Sequence, residues 1–141
     1  MTDTQVIRPD QSGLAPGDQR NSINAIVGLL VVTGGPGKGS HRSLYYGNNS
    51  IGRDHNQTVS LDFGDTSISA QEQAFIRYDY EGRKFLFVPN LSKTNVVSVN
   101  SEKPTMAVEL KPWDEIKMGQ TKLRFLPVCG THFDWGDIVD Q

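Results

Sequence analysis

Ala74-Phe75-Ile76-Arg77-Tyr78-Asp79-Tyr80-Glu81-Gly82-Arg83-Lys84-Phe85-Leu86-Phe87-Val88 is the stretch that decides the fold. Ala74, Ile76 and Tyr78 alternate with other residues, Glu81-Gly82 makes a turn, and Lys84 to Val88 resumes an extended run. A period of two is what a half-buried strand requires, because successive side chains point to opposite faces. The same period recurs on both sides. Val59, Leu61 and Phe63 alternate with Thr58, Ser60 and Asp62. Val96 to Val99, Val108 with Leu110, Ile116 with Met118, and Leu123 with Phe125 continue it. Ile26 to Val32 is a continuous apolar, β-branched run, suited to a strand buried on both faces. Gly34 to Ser40 breaks that run as a turn, His41 to Tyr46 is extended again, and Gly47-Asn48-Asn49 reads as another turn. No window of about eleven residues carries a helical face. The reading is an all-β sandwich of about ten or eleven strands, with Leu61, Ile76, Ile116, Leu123 and Phe125 in its core.

At 141 residues the chain is the length of one domain. Residues 1–24 carry Pro9, Gly13, Pro16 and Gly17 among polar residues and have no apolar period, so they read as a disordered tail. The sandwich takes residues 25–128. Residues 129–141 hold Phe133 and Trp135 and read as a tail that packs on the sandwich or on a partner. The formal charge of −2 creates no field that favours nucleic acid or an anionic membrane. Cys129, as the single cysteine, cannot form an internal disulfide. The longest apolar run is too short to span a bilayer, and the first residues lack the apolar core of a secretory signal. These features point to a soluble cytoplasmic protein.

The chemistry concentrates in three short stretches between strands: Ser50-Ile51-Gly52-Arg53, Ser69 and Thr94-Asn95. The residue types suit an anion clamp. Arginine supplies a fixed fork of N–H donors, hydroxyls add short neutral donors, and asparagine both donates and accepts. Gly52 permits close approach of a ligand or an unusual backbone angle. Gly34 to Ser40 is not a phosphate loop, because Lys38 is followed by Gly39 and then by a strand rather than by Ser or Thr opening a helix. It reads as a hairpin connection, from which Lys38 and Arg42 would add positive charge if they lie near the clamp. Cys129, His132 and Asp134 lack the ligand spacing of a zinc site. His41 and His55 have no acid and nucleophile arrangement beside them. The reading is a binding module, not an enzyme, with no cofactor and no metal.

This order of residues resembles the forkhead-associated (FHA) domain, a phosphothreonine-reading module, over roughly Ala25 to Val128. The resemblance rests on Gly52-Arg53, Ser69, Thr94-Asn95, Asn100 after Val99, and Trp113-Asp114-Glu115-Ile116-Lys117-Met118-Gly119, which is similar to the family's P-G-D-x-I-x-h-G. It implies an FHA-like sandwich in which Arg53, Ser69 and Thr94 hold a phosphate and Asn95 holds the peptide backbone. Gly52, Gln73, Lys93 and Asn100 would support them. The partner would be a phosphothreonine-containing protein, with a serine/threonine kinase upstream. Three positions depart from the pattern: Ala70 replaces an arginine, Gln73 replaces a loop-bracing histidine with one extra residue before it, and Val96 replaces a glycine. Gln73 has the donor and acceptor atoms to brace loops, and Lys93 would restore charge lost at Ala70. The Ala70 and Val96 departures favour one alternative, a phosphate-independent interaction scaffold on the same fold.

Overall fold

The computed structural model describes residues 24–138. The expectations for residues 1–23 and for the last three residues lie outside the described residues. Ten strands follow in order: β1 (Gly28–Gly34), β2 (His41–Leu44), β3 (Gly47–Gly52), β4 (Val59–Ser60), β5 (Ala74–Asp79), β6 (Lys84–Pro89), β7 (Val97–Val99), β8 (Val108–Leu110), β9 (Glu115–Met118) and β10 (Thr121–Pro127). They form two five-stranded sheets, β2-β1-β10-β9-β7 and β4-β3-β5-β6-β8. All pairings are antiparallel except that of β3 with the short β4. The stretch around Glu81-Gly82 is the β5–β6 hairpin, in register from Ala74 opposite Pro89 to Asp79 opposite Lys84.

The core lies between the sheets and contains all five expected residues, Leu61, Ile76, Ile116, Leu123 and Phe125. An aromatic chain crosses it. Tyr46 meets Tyr78 at 5.6 Å, Tyr78 meets Phe85 at 4.6 Å, and Phe85 meets Phe125 at 4.7 Å between ring centroids. The Phe85–Phe125 contact is edge-to-face and joins the sheets directly, and such pairs add about 0.5–1.5 kcal/mol beyond the area they bury.

Two strand-level expectations are corrected. β1 is not buried on both faces. Leu30 and Val32 are buried, while Leu29 and Val31 are only half-covered, because among the described residues no second sheet packs on the far face of the sheet that holds β1. Gly47-Asn48-Asn49 is not a turn but the start of β3. The buried Asn49 side chain explains the difference. Its Oδ1 accepts from Tyr45 N–H at 2.9 Å, and its Nδ2 donates to the carbonyls of Tyr45 and Ile76 at 2.9 Å. A residue that reads as a turn former thus closes the preceding turn from within the strand.

Beyond β10 the chain lies against the sandwich. Trp135 Nε1–H donates to the Ile26 carbonyl at 2.7 Å. The buried Asp134 carboxylate accepts from Tyr78 at 2.8 Å and Tyr46 at 3.1 Å, and caps a single 3-10 turn at Trp135–Asp137. Asp137 pairs with Arg83. Among the described residues no helix is long and apolar enough to cross a membrane. Trp113, between β8 and β9, has a φ of 71°. This left-handed conformation costs an L-residue about 1–2 kcal/mol, and Trp113 occupies the place of the glycine in the resembled pattern.

Candidate functional site

Four connections meet at one end of the sandwich: β3–β4 with Arg53, β4–β5 with Ser69, β6–β7 with Thr94 and Asn95, and the β9–β10 turn at Gly119-Gln120. The first two run side by side. Arg53 N–H donates to the Ser69 carbonyl at 3.0 Å, Asp54 N–H to Ala70 at 2.9 Å, and Gln73 N–H to Ile51 at 2.7 Å. Gly52 is required by this approach. A Cβ there would stand 2.6 Å from the Ala70 carbonyl oxygen. The expectation that Gly52 makes room for a ligand is therefore corrected, since the protein's own backbone fills that space.

Arg53 reaches along the same loop, and its Nε–H donates to the Ile68 carbonyl at 2.6 Å. That bond fixes the plane of the guanidinium and leaves the edge formed by its two terminal nitrogens. Among the described residues no ion pair or hydrogen bond engages that edge. Ser69 lies alongside, its hydroxyl donating to the Gln71 carbonyl at 3.1 Å. Gln73 is 2% exposed and spans two loops. Its Oε1 accepts from Ser69 N–H at 2.8 Å, and its Nε2 donates to the Asn95 carbonyl at 3.4 Å.

The extra residue before Gln73 has a clear place. Glu72 adopts a φ of 51°. Its N–H donates to Gln57 Oε1 at 2.8 Å, and its carbonyl accepts from Asn90 Nδ2 at 2.8 Å. The insertion is thus pinned on both sides, and Asn90 ties it to the β6–β7 loop. Asn95 adds a second tie through Nδ2, which donates to the Ser67 carbonyl at 2.7 Å. Thr94 is exposed and Lys93 half-exposed beside it.

Asp65 anchors the assembly from below. Its carboxylate accepts from the hydroxyl and N–H of Ser67, from Gln120 N–H at 2.8 Å and from Thr121 Oγ1 at 2.8 Å. Burial opposes ionisation of this group, but the bonds from Ser67, Thr121 and Gln120 outweigh it and hold the carboxyl below its ordinary range. Gly119, with a φ of 57°, leaves room for the Ser67 hydroxyl, which a Cβ there would strike.

The structure therefore brings Arg53, Ser69, Gln73, Lys93, Thr94 and Asn95 to one set of loops, with Gly52 beneath. It does not bring Asn100 there. Asn100 lies at the other end of β7, where its side chain donates to Asp114 and accepts from Glu115 N–H. Arg42 is also committed elsewhere, to the Ser60 carbonyl, to Asp62 at 2.8 Å and to the face of Phe63. Asp65, Ser67, Gln57 and Asn90 were missed in the sequence. Asp65 carried a readable signal, since an Asp two residues before Ser67 is the pattern of a side chain that caps its own turn.

The FHA domain model matches residues 49–119, half of the chain. The chain belongs to the FHA domain family. Among curated proteins no significant match is found. Solved FHA structures superpose on most of this domain. One, from a structural and functional analysis of phosphothreonine-dependent FHA domain interactions, is 28% identical with a TM-score of 0.59, covering 71% of this chain and 95% of that one. The FhaA FHA domain complexed with the intracellular domain of Rv3910 is 28% identical with a TM-score of 0.58, covering 70% of this chain and 98% of that one. Mycobacterium tuberculosis EmbR in complex with a low-affinity phosphopeptide is 27% identical with a TM-score of 0.59. That match covers 77% of this chain and 26% of EmbR.

Proposed function

We propose that this FHA domain binds a phosphothreonine-containing segment of another protein and catalyses no reaction. The observation that carries the reading is the state of Arg53. One nitrogen is fixed on Ile68, and a two-nitrogen edge is left beside the Ser69 and Thr94 loops. A phosphate supplies three acceptor oxygens and nearly two negative charges, so it meets that edge in a fork of charge-assisted bonds. Thr94 contributes its hydroxyl directly. Ser69 contributes its own once it turns from Gln71. Asn95 keeps one amide N–H on Ser67 and offers Oδ1 and its second N–H to the peptide backbone. Lys93 adds charge on the side where Ala70 supplies none, and Gln73 holds the loops in place. The structural relatives solved with phosphopeptides or in phosphothreonine-dependent interactions support the same reading.

Such a ligand exists only where a serine/threonine kinase has acted, so the domain would work as a reader in kinase signalling in the cytoplasm. The test is a matched pair of peptides, one carrying phosphothreonine and one plain threonine. Binding of the first alone supports the reading. Equal binding of both makes the domain a phosphate-independent scaffold.

A further inference from the structure

Among the described residues the three most exposed large apolar side chains are Met106, Val96 and Leu91, at 71, 67 and 66%. Leu91 and Val96 both belong to the β6–β7 loop and stand on either side of Lys93-Thr94-Asn95. Met106 precedes β8. That strand begins at Val108 opposite Phe87, while β6 runs on past Phe87 to Pro89, so the chain enters β8 from the same end of the sheet. A single exposed apolar side chain is ordinary, but a gathering of them beside a candidate binding loop marks an interaction surface.

The loop's own structure gives Leu91 and Val96 no task. Asn90 to Lys93 is a tight turn. Lys93 N–H donates to the Asn90 carbonyl at 3.0 Å, and the Ser92 N–H and hydroxyl donate to Asn90 Oδ1 at 3.1 and 2.7 Å. Leu91 stands at its first corner, where polar residues serve as well. Val96 stands where the resembled pattern has glycine, and its exposed side chain adds nothing to the core. The loop is also fastened at both ends, by Asn90 Nδ2 on the Glu72 carbonyl at 2.8 Å and by Asn95 Nδ2 on the Ser67 carbonyl at 2.7 Å. Two apolar side chains are thus carried by a fixed backbone on both sides of Thr94. Such a platform loses little freedom when a ligand covers it.

We propose that Leu91 and Val96 select an apolar residue in the bound segment. Given the phosphothreonine reading, on which this rests, the ligand class narrows. It becomes phosphothreonine segments with a Leu, Ile, Met or Val within about four residues of the phosphate, the reach of an extended chain across this loop. Arg53 and Lys93 read the charge. Leu91 and Val96 read the neighbouring side chain, whose burial removes apolar surface of both partners from water. A charged side chain at that place would be desolvated without a partner.

The test is calorimetric titration of the full chain with phosphothreonine peptides. In one set a single Leu is moved from four residues before the phosphothreonine to four after it, in a Ser and Ala background. Matched sets carry Ser, Asp or Lys instead of Leu, and each peptide has a plain-threonine twin. Leu at one position should bind about fivefold tighter or more than Ser, Asp or Lys there. Leu91→Gln and Val96→Thr should each remove most of that gain and leave the affinity for the Ser peptide within about twofold. Both side chains are exposed, so both variants should melt as the parent does. Phosphothreonine-dependent binding with no apolar preference at any position overturns this inference alone. So does a preference that survives both substitutions. If no phosphorylated peptide binds better than its plain twin, the phosphothreonine reading fails and this inference falls with it.

Discussion

Asn95 Nδ2 donates to the Ser67 carbonyl across 2.7 Å, and this bond joins the loop after β6 to the loop after β4. Ser67 is in turn held by Asp65, which grips the β9–β10 turn on the opposite sheet. The β6–β7 loop is thus linked to the β9–β10 turn through Ser67 and the buried Asp65 carboxylate, so the geometry at Arg53 depends on a residue that would touch no ligand.

Acid should loosen this arrangement. The Asp65 carboxyl titrates below its unfolded value because its bonds to Ser67, Thr121 and Gln120 outweigh the burial penalty. A lowered folded-state value means that its contribution is fully present above the unfolded pKa and is lost as pH falls through the folded one. Asp65→Asn should therefore be less stable than the parent at neutral pH, with the difference shrinking below about pH 4. Denaturant midpoints measured across pH check this. A constant difference down to strongly acid pH would contradict it.

Gln73 should matter to both stability and binding. Gln73→Ala leaves the part-buried Ser69 N–H without its acceptor, and an unsatisfied buried donor typically costs about 1–3 kcal/mol, so the loss here should fall toward the lower end. Urea unfolding gives the stability change. The same variant should bind phosphopeptide more weakly than an equally destabilised core variant, because it unfastens the Ser69 and Asn95 loops together.

The period-two stretches were enough to place the core, because alternation along a strand is a local property. The three loops of the site were legible for the same reason, being the polar gaps between those stretches. What stayed hidden depends on long-range pairing. Asn49 reads as a turn residue until β5 supplies the Ile76 carbonyl 27 positions away. Gly52 reads as space for a ligand until the Ala70 carbonyl lies against it. Asn100 follows a short strand that carries it to the far end of the sandwich, which sequence order alone does not reveal.

Cys129 should be chemically quiet in the native protein. Burial is the main cause that pushes its thiol up to about 11, and the thiolate is the reactive form. Iodoacetamide at pH 8 should label it only after unfolding. Rapid labelling of the native chain would mean that the segment after β10 opens readily.

Phe125 links the sheets through Phe85 and is buried. Phe125→Ala should cost about 3–5 kcal/mol, read from chemical denaturation. A loss below 1 kcal/mol would mean that the two sheets do not rely on this contact.

Calorimetric titration at fixed salt tests the central claim most directly, with a phosphothreonine peptide, its plain twin, and the parent and Arg53→Ala proteins. Removing one partner of a desolvated charge pair typically costs roughly 2–5 kcal/mol, so Arg53→Ala should lose about thirtyfold or more in affinity. Arg53→Lys should recover only part of it, because an ammonium cannot form the fork. The account predicts heat for the phosphorylated peptide with the parent and almost none with the plain peptide. Equal affinity for both peptides, or an Arg53→Ala protein that binds as tightly as the parent, would contradict it.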